Sequence, residues 1–108
     1  LPFQEKFTKE LLAELLEKAA NEMPFGVDEM TWFNQIKEIG SKLGFASSNK
    51  DYKKDPSAFK GSLSDVAEII RIALVGGTQS PNLHEIIEIL GKETCQKRML
   101  EIARKLGE

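Results

Sequence analysis

Apolar residues recur along this chain at intervals of three and four and nowhere alternate with polar ones, a pattern that predicts helices and no strands. Thr8 precedes Leu11, Leu12, Leu15, Leu16 and Ala19, which fall on one stripe of a helix running to about Met23. Glu14 and Lys18 form a favourable i, i+4 pair on its other face. The run Met23-Pro24-Phe25-Gly26 breaks the pattern. Asp28 or Thr31 then caps a second helix whose buried face is Trp32, Ile36, Ile39 and Leu43, and Gly44 follows where a helix closes in the left-handed conformation.

From Ala46 to Gly61 the periodicity disappears into ASSNKDYKKDPSAFKG, expected to be a mobile polar loop. Ser62 or Ser64 caps a third helix, with Asp65 placed to meet the helix dipole and Val66, Ile69, Ile70, Ala73 and Leu74 inside. Gly76 and Gly77 stop it. Ser80 as N-cap and Pro81 as first helical residue predict a fourth helix to Leu90, burying Leu83, Ile86, Ile87 and Leu90 and ending at Gly91. A fifth runs from near Lys92 to Gly107 with Cys95, Met99, Ile102, Ala103 and Leu106 on one stripe. The expected fold is all-α: a compact bundle of about five helices with one long polar loop. Residues 1–108 read as a single region, divided into two helices over 1–45, the loop over 46–61 and a three-helix part over 62–108.

Composition adds limits. With 41% hydrophobic and 30% charged residues the chain reads as an ordinary soluble globular protein, and with 7% aromatics its core is mainly Leu, Ile and Ala. The single Cys95 excludes an internal disulfide and fits a reducing cytoplasm, the expected location, though it would fit a secreted fragment as well. No apolar run is long enough for a bilayer, and no membrane partner is expected. The chain opens on Leu1, which suggests a piece of something longer. Net charge is -2, unlike the basic excess of a self-sufficient nucleic-acid binder. The charge is uneven, however: residues 1–31 are acidic, whereas 46–61 and the stretch after Gly91 lean positive.

The groups that enzymatic sites need are missing. One histidine, His84, excludes a histidine pair or a multi-histidine metal site, and its place beside Leu83 and Glu85 predicts a half-exposed surface residue. Cys95, on an apolar stripe, reads as a small core residue. Glu85 and Glu88, like Glu10, Glu14 and Glu17, share a helix face but without a flanking histidine read as a solvated surface. Gly76-Gly77 lacks the Gly-Lys-Ser/Thr ending of a phosphate loop. No catalytic residue and no metal ligand is therefore assigned. In the polar loop, Lys50, Lys53, Lys54 and Lys60 with Tyr52 and Phe59 either contact phosphates and stack on bases or form a solvated insertion with its aromatics tucked in.

The corner from Arg71 to Leu83 remains. It brings a guanidinium, a small hydroxyl, free backbone N–H groups and Leu83 as an apolar platform to one turn, which serves either as a packing device or as a place where an unstacked base is read.

The run Arg71-Ile-Ala-Leu-Val75-Gly76, then Ser80-Pro81-Asn82-Leu83-His84-Glu85, then Ile89-Leu90-Gly91-Lys92-Glu93, resembles the C-terminal anticodon-binding region of bacterial glutamyl-tRNA synthetases, class I aminoacyl-tRNA synthetases. That family carries Pro-Leu-Arg, Ala-Leu-Thr-Gly, a short turn, Ser/Thr-Pro, a helix and Leu-Gly-Lys/Arg-Glu at the same spacing. Trp32, Ile36, Ile39 and Leu43-Gly44 are similar to its preceding helix. Ile69 stands where the family usually has proline, Val75 where threonine is common, and the loop over 46–61 is longer than its usual connector.

The resemblance implies that Arg71, Ser80, Pro81 and Leu83 meet the anticodon bases of glutamate tRNA, with Thr78, Gln79 and Lys92 as secondary RNA contacts. It further implies that glutamylation, with ATP and Mg, belongs to an N-terminal catalytic domain of the same polypeptide, which is then a partner of this region, and that the fragment itself holds no cofactor and is a monomer. The HIGH-like and KMSKS-like motifs of such a domain are not in this sequence. The alternative is a helical protein-interaction module with no tRNA role, whose sign would be an uncovered apolar patch on Leu11, Leu12, Leu15 and Leu16.

Overall fold

A computed structural model describes residues 1–108. Five helices form: α1 (Lys9–Glu22), α2 (Glu29–Lys42), α3 (Asn49–Lys54), α4 (Leu63–Val75) and α5 (Leu83–Leu106). There are no strands. The local chemistry that starts the helices is visible at each cap. The side chains of Thr8, Asp28 and Ser48 accept from the backbone N–H three residues on, at 3.0, 2.7 and 3.0 Å. Ser62 does the same for Asp65, whose carboxylate accepts in turn from Ser62 N, closing a capping box.

Two expectations change. The segment 46–61 is not without regular structure, because Ser48 caps α3 and Pro56 starts a 3-10 turn at Pro56–Ala58. Its base is closed by Ala46 N donating to Gly61 O at 3.0 Å and Lys60 N to Gly44 O at 2.9 Å. The second change concerns the start of the next long helix. Ser80 and Pro81 lie outside it, and Asn82 is the N-cap, its side chain accepting from Glu85 N at 3.1 Å. Asn82 wins because its side chain reaches a backbone donor, while the Ser80 hydroxyl is engaged elsewhere.

The fourth and fifth helices of the sequence reading are the two arms of α5. They meet at Gly91, whose φ of 83° and ψ of 166° leave the helix for a region that only glycine enters without strain. At the end of α4, Gly76 takes φ 81°, whereas Gly77 does not adopt a positive φ.

One apolar core joins the helices. Leu15 and Leu16 of α1, Ile36 and Ile39 of α2, Val66, Ile69 and Ile70 of α4, and Ile87, Cys95 and Met99 of α5 are all essentially sealed from solvent. Leu11 is partly buried and Leu12 buried against the same core, so the leucine face of α1 is covered within the chain. Side chains of α5 also tie the ends of other helices: Gln96 Nε2 donates to Ala20 O at 2.8 Å and Arg98 Nη1 to Leu74 O at 2.6 Å. Gly40 lets α2 approach α4, since a Cβ there would stand 2.9 Å from Val66 Cγ2. No helix is long and apolar enough to cross a membrane.

Candidate functional site

The turn between α4 and α5 is organised by one side chain. Arg71, on α4, donates from Nε to Ser80 Oγ at 2.6 Å, and that hydroxyl donates to Pro81 O at 2.9 Å. Ser80 is thus a positioning group for the guanidinium and not a helix cap. The Nη1 and Nη2 groups of Arg71 make no hydrogen bond within the chain, and Arg71 is in no ion pair. Nor do the backbone N–H groups of Gly77, Thr78, Gln79 and Ser80 donate to any group in the protein. A guanidinium fixed at one edge and open at the other, next to unpaired amides, can take a planar ligand bearing oxygen or nitrogen acceptors.

Arg71 also lines the largest cleft of the molecule, about 540 Å³ in volume. Leu83 and Ala67 line it from α5 and α4, and Glu29, Met30, Trp32 and Phe33 from α2. Leu83 is only 4% exposed and forms floor instead of the expected platform, because its position at the first turn of α5 points it into the core. The exposed apolar surface comes from α2: Met30 is 76% and Phe33 36% exposed. Lys37 Nζ sits 5.1 Å from the Phe33 ring centroid. Trp32 is buried, and its Nε1 is the one buried side-chain polar atom in the molecule without a partner.

The structure brings Arg71, Ser80 and Pro81 together by direct bonds and puts Arg71 and Leu83 in one cleft. Thr78 and Gln79 are exposed in the connecting turn. Lys92 is exposed just past the Gly91 break and does not line the cleft. The α2 wall escaped the sequence reading. Its signal was available: Met30 and Phe33 are large apolar residues off the stripe of Trp32, Ile36, Ile39 and Leu43, so a helix that buries the stripe must expose them.

His84 is more enclosed than a half-exposed surface residue. Its side chain is 14% exposed, Nε2 donates to Val27 O at 2.9 Å, and its ring lies 5.6 Å from that of Trp32. Glu88, read as solvated, accepts from Gly26 N at 3.2 Å, and Asn82 Nδ2 donates to Glu29 Oε2 at 3.1 Å. These three bonds clamp the segment before α2 and the start of α2 onto the first arm of α5, and so fix the cleft walls. Tyr52 and Phe59 of the polar segment are half-buried. That segment adjoins the N-terminal end of α4, from which Arg71, eight residues past Leu63, stands about 12 Å along the helix axis.

Cys95 is buried with Sγ 3.8 Å from Ile87 O, and burial pushes its thiol up to about 11, which leaves it inert at neutral pH. No three His, Cys, Asp or Glu side chains converge where they could hold a metal ion.

A family profile described as Anticodon binding domain matches residues 50–103, a span that holds α4, the turn and most of α5. The glutamate–tRNA ligase of Clostridium perfringens (strain 13 / Type A) is 41% identical over 88 residues, which is 82% of this chain and 16% of that protein. The glutamate–tRNA ligase of Acetivibrio thermocellus is 46% identical over 72 residues, 67% of this chain and 13% of that protein. That of Sorangium cellulosum is 35% identical over 68 residues, 63% of this chain and 12% of the relative. The chain thus spans less than a fifth of the length of these curated relatives. No solved structure matches it significantly.

Proposed function

Since the chain belongs to the anticodon-binding domain family found in glutamate–tRNA ligases, we propose that it recognises the anticodon loop of a glutamate tRNA from the C-terminal region of such a ligase. The observation that carries this reading is the state of Arg71: Nε held by Ser80, both Nη groups open, beside four unpaired backbone amides and inside the matched region. Single-stranded RNA is read where unstacked bases find such donors beside an apolar surface.

In this reading Arg71 supplies paired N–H donors to a base edge. Ser80 holds those donors at a fixed angle, so less side-chain entropy is lost when the base arrives. Pro81 rigidifies the turn through its fixed φ and accepts the Ser80 hydroxyl, and Leu83 closes the floor against water. Thr78, Gln79 and Lys92 provide outer contacts to the RNA. Ligation of glutamate, with ATP and Mg2+, falls to a catalytic domain of the same cytoplasmic polypeptide, and the region described here acts by positioning the tRNA.

The protein-interaction alternative loses its motive, because the leucine face of α1 is covered by the rest of the core. A 15N NMR titration with a glutamate-tRNA anticodon stem-loop tests the proposal. Amide shifts at Arg71, at Thr78 to Leu83 and across the start of α2 are expected. A flat titration at low salt, for this chain and for the longer ligase alike, contradicts it.

A further inference from the structure

The cleft has a second wall to which the corner residues contribute nothing. On α2, Met30 and Phe33 are exposed large apolar side chains facing the same cleft that Arg71 lines, and Lys37 holds its ammonium 5.1 Å from the Phe33 centroid. Lys37 is in no ion pair, nor is Arg71. Glu29, the carboxylate at the cleft, accepts from Asn82. The cleft therefore offers an aromatic face and the open Nη edge of Arg71, with the Lys37 ammonium beside the Phe33 ring although Lys37 does not itself line the cleft, and its volume falls in the range of about 300–1,000 Å³ usual for small-ligand sites.

An aromatic face flanked by cations complements a planar, electron-rich group attached to an anion, which is a nucleobase with its phosphate. We propose that Phe33 is the stacking platform of this site: the unstacked base whose edge meets Arg71 lies with its face on Phe33 and Met30, while Lys37 swings from the ring to the adjoining phosphate. This rests on the RNA-binding reading above and adds a residue set from a different helix, outside the region that the family profile matches. The exposure of Phe33 follows from the same placement.

The test uses the only tryptophan in the chain, Trp32, whose ring centroid is 6.3 Å from that of Phe33 and which lines the cleft. Its emission is followed while a glutamate-tRNA anticodon stem-loop is titrated into the wild type, Phe33→Leu, Phe33→Tyr and Arg71→Ala. Phe33→Leu keeps an apolar side chain but removes the π-face, and is expected to weaken binding about tenfold, within the range for loss of one base–aromatic stack. Phe33→Tyr is expected to bind within about twofold of the wild type, because the stacking face is kept. Circular dichroism of each variant checks that the helices are intact, which the exposure of Phe33 favours.

If Phe33→Leu binds as the wild type does while Arg71→Ala is weakened, the platform is overturned and the RNA-binding reading stands. Phe33→Leu and Phe33→Tyr weakened equally also overturn the platform. If the wild type itself neither binds nor changes emission, the RNA-binding reading fails and the platform with it.

Discussion

Asp65 shows at residue scale how a single side chain fastens two distant parts of the sequence. Its carboxylate accepts from Ser62 N, from Gln4 Nε2 at 2.9 Å and from Lys6 Nζ at 3.1 Å, so it caps α4 and holds the segment before α1 at once. Burial pushes its pKa upward, but the Ser62 amide, Lys6 and Gln4 outweigh that effect and hold the carboxyl below the usual range. A depressed folded pKa stabilises the protein above the unfolded value near about 4, and that stability is lost as pH falls through the folded value. Thermal melts are therefore expected to give a Tm that falls on acidification below about pH 4, and Asp65→Asn is expected to flatten that fall while costing about 1–3 kcal/mol at neutral pH. An unchanged acid profile in Asp65→Asn would show that another carboxylate governs it. That Asp65 would sit in the first turn and meet the dipole of α4 was legible in the sequence, whereas its bonds to Gln4 and Lys6 were not, since nothing local in a sequence records a partner some 60 positions away.

Among the elements, α5 carries the most consequence. Its two arms were legible because Gly91 interrupts an apolar stripe, and the structure breaks the helix at that residue. The first arm forms the corner with α4, and the second ties down α1 through Gln96 and the end of α4 through Arg98. Gly91→Ala places a side chain at φ 83°, ψ 166° and is expected to cost about 1–3 kcal/mol in denaturant unfolding. A neutral Gly91→Ala would mean that the arms can straighten without loss. The start of this helix was less legible. Ser80, Pro81 and Asn82 are all good start residues, and choosing among them needs the position of Arg71, which is nine residues away and recruits the Ser80 hydroxyl. The α2 wall was unread for a related reason: whether Phe33 and Met30 are idle surface or the side of a cleft depends on how the start of α2 faces α4 and the start of α5, a tertiary fact.

For the whole molecule, four helices around one apolar core, with α3 outside it, hold a cleft lined from α2, α4 and the start of α5. The net charge of -2 argues against binding through a broad phosphate-coating surface. In the proposed reading affinity comes instead from a few placed contacts, and such contacts discriminate among bases. The all-helical class and the core stripes were readable because periodicity is local. The cleft was not, because it is made by packing.

The central claim is that Arg71 reads a base of the anticodon loop, and the most direct measurement is the affinity of wild type and Arg71→Ala for two stem-loops at one salt concentration, one with the glutamate anticodon and one with those bases replaced. The wild type is expected to prefer the glutamate loop, and Arg71→Ala to lose about 1–3 kcal/mol on that loop and much less on the other. Equal affinity of the wild type for both loops, or an Arg71→Ala variant that binds the glutamate loop undiminished, would contradict it.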